Sequence, residues 1–325
     1  MVLKSPTLED LLKQTYEDVE NKIPEIVKDK NILWILEGGK RLRPVIGSVV
    51  FWTALDKTDP KEPYQQFLEG MVSIELGHSA SLVHDDIMDN DEERRGRPAF
   101  WVKEGIGNAI LIGHKMIAMA FDISLKTGLR TAHIYTDGWL RALEGQIDEI
   151  NFNRQDFHEF EISADSKFFE LYSKIIDFKT ATLFAGAAEV SAVYANRDNG
   201  LAKLFYEYGR EVGFAYQLAD DIVDLENGEM IDSVIIPLLM HLDEKGKIKE
   251  GGLKMRFIRK KLKEKEPEIK ELYLKEIHNH LARAAELADS DIVPKNHYQE
   301  LLKEVPYYVI NKMLEEIDIT IKPEE

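Results

Sequence analysis

Two copies of the motif Asp-Asp-x-x-Asp, at residues 85–89 and 220–224, have the composition of a metal-binding site. Residues four apart share one face of a helix, so Asp85 lies beside Asp89 and Asp220 beside Asp224. Like charges at this spacing repel, and apolar neighbours strengthen the repulsion. A hard divalent cation, Mg²⁺ above all or Mn²⁺ in its place, would neutralise them and share its coordination shell with substrate phosphates.

The bland alternative for these two acid motifs is a solvated helix face, since the chain has 59 Asp and Glu residues. Two identical motifs, each set in apolar sequence, are much harder to attribute to chance. A calcium-binding loop starting at Asp89 fails, because Arg94 occupies the position where that loop needs Gly. The motifs therefore favour a site that holds metal ions and a diphosphate.

Two clusters of cations accompany the acid motifs. The first follows the glycine pair of residues 38–39, where the backbone can approach an anion closely; it contains Lys40, Arg41 and Arg43. The spacing of a P-loop is absent. The second cluster lies just after the first acid motif and contains Arg94, Arg95 and Arg97. Arginine forks match phosphate oxygens; the alternative is surface pairing with Glu92 and Glu93.

The elements that must position these residues are predicted to be helices. Apolar residues recur at three- and four-residue intervals in the segments 8–26, 63–89, 108–126, 167–195, 201–225 and 252–288. No alternating run predicts a sheet. The breaks between the segments are too short for domain linkers. We expect an all-α fold with residues 1–325 forming a single domain of long, buried helices.

Composition narrows the class of protein. The net charge of −17 argues against nucleic-acid or anionic-membrane partners, and the absence of Cys excludes disulfides. The first ten residues do not have the pattern of a signal peptide. The longest apolar stretch, 109–123, is interrupted by His114, Lys115 and Asp122 and is predicted to be too short to span a bilayer. We expect a soluble, cytoplasmic protein without a transmembrane segment.

At this point the motifs resemble those of the trans-isoprenyl diphosphate synthases, or polyprenyl synthetases, over most of the chain. The matching segments are 39–44, 81–98, 144–146, 179–180, 213–224 and 301–313. The resemblance implies the isoprenoid synthase fold, a bundle of long helices around a central cavity. It also implies a prenyltransferase that condenses an allylic diphosphate with isopentenyl diphosphate. Relatives pair into homodimers through long helices, and 109–121 is the candidate contact.

The same resemblance implies roles for single residues. Asp85, Asp89 and Asp220 would hold a magnesium cluster around the allylic diphosphate. The other acid-motif residues would bind through water or orient the first set; they are Asp86, Asp221 and Asp224. The remaining roles fall into three groups: Arg94 and Lys179 on the allylic diphosphate, Lys40, Arg43, His78 and Arg95 on the isopentenyl diphosphate, and Gln146, Thr180 and Gln217 lining the reacting region.

Three departures from the family pattern surround this predicted site. The segment after the second acid motif is shortened, and residues 225–237 contain no Lys or Arg where a Gly-Lys loop is usual. His114 and Glu149 each stand where Asp is usual. Two alternatives stay open: a divergent enzyme of the same fold, either a terpene cyclase or a transferase with another acceptor, and a binding-only regulatory subunit. The presence of both complete acid motifs argues against a binding-only subunit.

The product tunnel is expected to run along the helix that carries the first acid motif. Residues four, five and eight positions before Asp85 neighbour its face, and all are small: Ser81, Ala80 and Gly77. They leave about 11 Å of depth open. We therefore predict a product of at least four isoprene units, near geranylgeranyl length or longer. Met116 and Met119 are candidates for the tunnel floor.

Overall fold

The computed structural model describes residues 6–56, 59–154, 173–195, 198–227 and 255–322. Eleven α-helices occur in these ranges: α1 Leu8–Ile26, α2 Lys30–Leu36, α3 Leu42–Ala54, α4 Lys61–Asp89, α5 Phe100–Glu104, α6 Ile106–Thr127, α7 Leu129–Arg154, α8 Thr182–Ala195, α9 Asn199–Asn227, α10 Met255–Ala288 and α11 His297–Leu314. A π-helical turn, Asp177–Ala181, precedes α8, and a 3₁₀ turn, Glu315–Ile317, follows α11.

The all-α prediction is confirmed, with one local exception. Two short strands, β1 Glu93–Arg94 and β2 Arg97–Pro98, form an antiparallel hairpin where the sequence predicts only a break. Its two turn residues, Arg95 and Gly96, have φ of 56° and 71°. Positive φ at both positions is the signature of a type I′ turn, which matches the twist of a two-residue hairpin. The absence of an alternating apolar pattern could not reveal so short a hairpin.

The described residues group into two compact units, each assembled from three separate stretches of sequence. The first takes its residues from 1–139, 183–209 and 287–305, and the second from 140–182, 210–286 and 306–325. Neither unit is a contiguous part of the chain. The expectation of a single domain over 1–325 stays a prediction.

In the first unit, α4 packs lengthwise against α6. Small residues let the helices approach. A Cβ at Gly113 of α6 would lie 2.3 Å from the imidazole of His84 on α4. Toward α8, a Cβ at Gly70 of α4 would lie 2.4 Å from the Tyr194 ring. The hydroxyl of Ser73, also on α4, donates to the backbone oxygen of Ala120 at 2.8 Å. These close contacts fix the register of the helix that ends in the first acid motif.

In the second unit, α9 is buried around its acid motif. Ala219, Ile222 and Val223 flank the aspartates of the motif and are no more than 4% exposed. They pack in one apolar cluster with residues of α10 and α11, including Tyr273 and Ile310. The apolar setting inferred from the sequence is therefore confirmed for the second acid motif.

A buried arginine joins three elements of the first unit. The guanidinium of Arg41 is fully buried and donates to Glu20 at 2.7 Å, Glu75 at 2.8 Å and the backbone oxygen of Leu36 at 2.5 Å. Burial opposes its charge, but the carboxylates of Glu75 and Glu20 outweigh burial and raise the pKa of Arg41. A Cβ at Gly39 would lie 2.4 Å from this guanidinium, so a side chain there would displace Arg41 from these partners.

Arg41→Met is expected to lower the free energy of unfolding by about 3–5 kcal/mol, because Glu75 would be left buried without its partner. Adding Glu75→Leu should recover part of the loss. Chemical denaturation of both variants measures this. The matched control is Lys126→Met, which breaks an exposed ion pair with Asp122 and should change stability by less than about 1 kcal/mol. A loss in Arg41→Met as small as in the control would contradict the prediction.

Candidate active site

Both acid motifs lie at the C-terminal ends of their helices. Asp89 is the last residue of α4, and Asp224 lies three residues before the end of α9 at Asn227. The helix dipole makes a C-terminal end negative, so carboxylates there are destabilised rather than stabilised. Neither helix has a basic residue in its last turn. The negative helix ends are therefore a second reason for a cation to bind there, in addition to the repulsion between the acids.

The first acid motif is partly paired with the hairpin. Asp86 is only 3% exposed and accepts from Arg94 through Nε at 2.8 Å and Nη2 at 2.5 Å. Burial raises the pKa of Asp86, although Arg94 opposes this. Asp85 is half-buried and Asp89 is exposed. The Asp86 carboxylate is thus engaged by Arg94. Its predicted role, binding metal through water or orienting the other acids, stays a prediction.

The other hairpin arginines are directed to the end of α2. Arg95 donates to the backbone oxygens of Ile35 and Glu37, and Arg97 pairs with the Glu37 carboxylate at 2.8 Å. The guanidinium of Arg97 also covers the Trp34 ring at 4.1 Å. The alternative pairing with Glu92 and Glu93 is not what the described residues show. The hairpin thus directs Arg94 to α4, and Arg95 and Arg97 to the end of α2.

The cations assigned to the isopentenyl diphosphate gather in the first unit. Arg95 lies against the glycine pair, with its Nη2 3.5 Å from a Cβ built at Gly39. Lys40 follows that pair and is exposed, and Arg43 is buried with its guanidinium 4.6 Å from the Phe184 ring centroid. Burial, together with Arg41, lowers the pKa of Arg95. This concentration of positive charge is suited to an anion.

His78 belongs to the same group. Burial first, and then the charges of Arg43 and Arg95, lower the pKa of His78 well below its ordinary value. The imidazole is therefore neutral at pH 7 and can donate one hydrogen bond. The structure places His78 among the arginines with which the sequence grouped it.

In the second unit, the predicted catalytic residues meet at the π-helical turn. Thr180 donates to Gln217 at 2.7 Å, and the Gln217 amide donates in turn to Asp221 at 2.9 Å. Lys179 pairs with Glu149 at 2.6 Å. Glu149, which departs from the family pattern, thus has a specific partner.

Two features support this arrangement from α7. A Cβ at Gly145 would lie 2.7 Å from the backbone nitrogen of Lys179, so the turn packs directly on the glycine backbone. Gln146, the next residue, is half-buried.

Sequence reasoning missed Asp177, the first residue of the turn, which accepts from both Nε and Nη2 of Arg210. Its only sequence signal was its position two residues before Lys179.

The small residues of the predicted tunnel are buried or partly buried on α4. Ala80 is fully buried, and the Ser81 hydroxyl donates to the backbone oxygen of His78 at 2.8 Å. A Cβ at Gly77 would lie 3.1 Å from the hydroxyl of Tyr135. Tyr135 is therefore the side chain next to Gly77, and the sequence did not single it out. Met116, one of the two candidate floor residues, is fully buried.

His114, the second departure, lies on the exposed side of α6. Its ring is 5.3 Å from that of His84, and the two rings are tilted by 55°. His84 occupies the space left open by Gly113. The structure gives His114 a neighbour but no contact with an acid-motif residue among those described here.

The chemistry of the donors fits a hard divalent cation. The acid motifs offer only carboxylate oxygens, the ligands preferred by Mg²⁺. In the part of the chain that the structure describes, no three acidic, His or Cys side chains converge into a ready-made cage. Mg²⁺ is usually bound by one or two carboxylates with substrate phosphates and water. That the two motifs face each other across one cavity stays a prediction.

Solved structures identify the fold. A polyprenyl synthase from Caulobacter crescentus CB15, complexed with calcium and isoprenyl diphosphate, superposes with a TM-score of 0.74 at 23% identity, covering 95% of this chain and 99% of that chain. At this identity the similarity concerns the fold alone. It confirms the predicted isoprenoid synthase fold.

Sequence relatives identify the family. Residues 27–231, more than half of the chain, match the family model described as polyprenyl synthetase. A geranylfarnesyl diphosphate synthase of Natronomonas pharaonis is 33% identical over 205 residues, 58% of this chain and 57% of that protein. A (2E,6E)-farnesyl diphosphate synthase of Mycobacterium bovis is 35% identical over 187 residues, 58% of this chain and 49% of that protein. The aligned part thus spans only about half of each relative. The chain belongs to the polyprenyl synthetase family.

The neutral His78 predicts a pH dependence of stability. Its pKa in the folded protein lies below the ordinary value of 6.5, so below that pH the unfolded chain binds more protons than the folded one. Stability should therefore fall as pH drops from 7 to 5, by at most about 1.4 kcal/mol per pH unit from this residue. His78→Gln should show a shallower fall than wild type in denaturation at each pH. His133→Gln, an exposed histidine of α7, is the control; equal slopes in all three proteins would refute the assignment.

Proposed function

We propose that the protein is a metal-dependent trans-prenyltransferase that condenses an allylic diphosphate with isopentenyl diphosphate. The observation that carries this proposal is the chain of contacts from Thr180 through Gln217 to Asp221, with Lys179 on the same π-helical turn as Thr180. The turn that carries the cation proposed for the diphosphate is thereby joined to the acid motif proposed to hold metal. Family membership supports the reaction class.

On the allylic side, the reaction begins with ionisation of the carbon–oxygen bond to the diphosphate. A divalent cation, Mg²⁺ in our proposal, would supply charge neutralisation at the departing diphosphate when held by Asp85, Asp89 and Asp220. The solved neighbour bound to calcium and isoprenyl diphosphate is compatible with such a site. Lys179 would add a fixed positive charge to the same group, and Arg94 would do so from the hairpin.

On the acceptor side, Lys40, Arg43 and Arg95 would bind the isopentenyl diphosphate. The neutral imidazole of His78 would donate a hydrogen bond to it without adding another positive charge. Attack of the acceptor double bond on the allylic carbocation is followed by loss of a proton. The departing diphosphate can take this proton, so no side-chain base is required. Thr180 and Gln217 would border the carbocation, and apolar helix walls would exclude water from it.

The second candidate function is a divergent reaction of the same fold, either cyclisation or transfer to another acceptor. The sequence observation that favours it is the lack of Lys and Arg in residues 225–237. Most of that segment, from 228 onward, lies outside the described residues. A charge-assisted hydrogen bond contributes about 1.5–3 kcal/mol, so one lost diphosphate contact could slow turnover by one or two powers of ten. A binding-only subunit is the third candidate.

One assay separates these functions. With Mg²⁺, allylic diphosphates of several lengths and isopentenyl diphosphate, a synthase gives longer diphosphates, of about twenty carbons or more if two helical turns of tunnel are open. Ala80→Phe should shorten the product while retaining turnover. Hydrocarbon or alcohol formed without isopentenyl diphosphate indicates a cyclase, and a thermal shift without product indicates binding only. A wild-type product of fifteen carbons or fewer would contradict the tunnel prediction.

Asp85→Ala and Asp220→Ala should each abolish this turnover with Mg²⁺ or Mn²⁺ and leave the fold intact, because removing one acid relieves repulsion in the free protein. The matched control is Asp137→Ala, an exposed aspartate of α7 outside the motifs. Circular dichroism monitors folding alongside the rate. Near-full activity in either motif variant would show that the metal assignment is wrong.

We also propose that the protein forms a homodimer through α6. This helix, Ile106–Thr127, is long and apolar enough to cross a membrane, and only 33% of its most apolar window is buried. The stretch 109–123 alone was predicted to be too short for a span, whereas the whole helix has the length and composition of one. That the chain lacks a transmembrane segment stays a prediction. However, α6 packs along α4, and its outer apolar residues suit a partner protein; they are Ile106, Ile110, Leu111, Phe121 and Leu125. The cytoplasmic location stays a prediction.

Wild type is expected to have a dimeric mass at micromolar concentration. Leu111 is 69% exposed on α6, so Leu111→Glu would bury a charge in an apolar interface and should shift the mass toward monomer. Ile292 is 56% exposed and lies outside α6, so Ile292→Glu is the control. Light scattering coupled to size exclusion measures all three. A monomeric wild type would rule out the homodimer.

A further inference from the structure

The π-helical turn Asp177–Ala181 needs support from outside its own backbone. A π-helical turn inserts an extra residue into a helix and is rare, so it persists where the surrounding structure holds it. Here three of its five residues form a side-chain hydrogen bond or ion pair with another element. Lys179 pairs with Glu149, and Thr180 donates to Gln217. Asp177, the first residue of the turn, is held by Arg210.

We propose that Arg210 is a positioning residue for the allylic diphosphate site. Its guanidinium forms two hydrogen bonds to Asp177 and thereby fixes the turn on which Lys179 and Thr180 lie. This inference rests on the proposed function, since it concerns the substrate of that site. Arg210 acts through Asp177 and is not proposed to contact the diphosphate itself.

The geometry of the pair is that of a fork. Nε of Arg210 donates to Oδ1 of Asp177 at 2.6 Å, and Nη2 donates to Oδ2 at 3.0 Å. Two parallel bonds fix the orientation of the carboxylate as well as its distance, which one bond to an ammonium could not do. The side chains are 31% and 15% exposed, so solvent screens this pair less than a surface pair.

Arg210 is itself held in place by its own helix. Its guanidinium lies 5.2 Å from the ring centroid of Phe214, one turn further along α9. The Phe214 ring stacks on His280 of α10 at 4.7 Å with an angle of 4°. Arg210 is therefore supported by α10 through the Phe214 ring. The next residue, Glu211, forms a separate ion pair with Arg283 at 2.8 Å.

The same helix carries the second acid motif, ten residues after Arg210. The turn is thus attached to α9 at two points: Asp177 to Arg210, and Thr180 to Gln217, which also contacts Asp221. Without the first attachment, the π-helical turn can revert to a regular α-helix, which changes the face on which Lys179 lies. The Thr180 contact alone leaves the start of the turn unrestrained. The effect should therefore concern the allylic diphosphate and spare the isopentenyl diphosphate, whose predicted cations lie on other elements.

The test compares Arg210→Gln and Asp177→Asn with wild type. Each is expected to raise KM for the allylic diphosphate about tenfold, the size expected for one lost charge-assisted hydrogen bond. KM for isopentenyl diphosphate should stay within about twofold, a range typical of surface changes. Affinity for an allylic thiolodiphosphate with Mg²⁺, measured by calorimetry, should fall in parallel without any turnover. Arg210→Lys keeps the charge but loses the fork, and it should give an intermediate loss.

Two further variants make the result specific. The exchanged pair, Arg210→Asp with Asp177→Arg, should restore most of the affinity for the thiolodiphosphate. Arg283→Gln removes a neighbouring arginine–carboxylate bridge that does not involve the turn, and it should leave both KM values unchanged. These two variants separate loss of positioning from general damage to α9.

The inference is overturned if Arg210→Gln and Arg210→Lys both bind the thiolodiphosphate as tightly as wild type. It is also overturned if both KM values rise together, or if Arg283→Gln has the same effect as Arg210→Gln. A wild type that binds the thiolodiphosphate but forms no longer diphosphate would instead refute the proposed function. In that case the calorimetric series still decides the role of Arg210.

Discussion

The organisation of the first unit depends on one fully buried positive charge, that of Arg41. Arg41 has no exposed side-chain surface, and its five donors can be satisfied only by groups that the fold brings to it. Glu20 comes from α1, Leu36 from the end of α2 and Glu75 from the middle of α4. Each of these helices is therefore restrained at a residue that cannot move without exposing an unpaired charge. Because Arg41 immediately precedes α3 as its N-cap residue, the same constraint acts on the cations on either side of it.

The acid motifs show a different use of charge. Their carboxylates repel one another and sit at negative helix ends, and those of the second motif also lie among apolar side chains. Each of these factors makes the free protein less stable than an apolar helix end would. Proteins commonly retain such local conflicts where a ligand must be bound strongly. Arg94 relieves one of the six charges by pairing with Asp86.

The sequence was sufficient for features that depend on local pattern. Helical periodicity predicted the long helices, and the spacing of Asp85 and Asp89 placed them on one helix. It could not predict features that depend on contacts between distant residues. The pairing of Asp177 with Arg210 joins residues 33 positions apart, and the π-helical turn has no periodic signature. Arg41 looked like a ligand-binding cation because burial cannot be read from its neighbours in sequence. Tyr135 was missed because nothing on α7 indicates that Gly77 lies beside it.

Gly145 has a consequence for how this family member can change over generations. Any side chain there would meet the backbone nitrogen of Lys179, which cannot rotate away as a flexible side chain could. A mutation at this position is therefore accepted only if the turn opposite has already shifted, and a shifted turn displaces Lys179. Substitution of Gly145 and displacement of the turn therefore depend on each other. Either change alone would give a protein in which α7 and the turn pack less well.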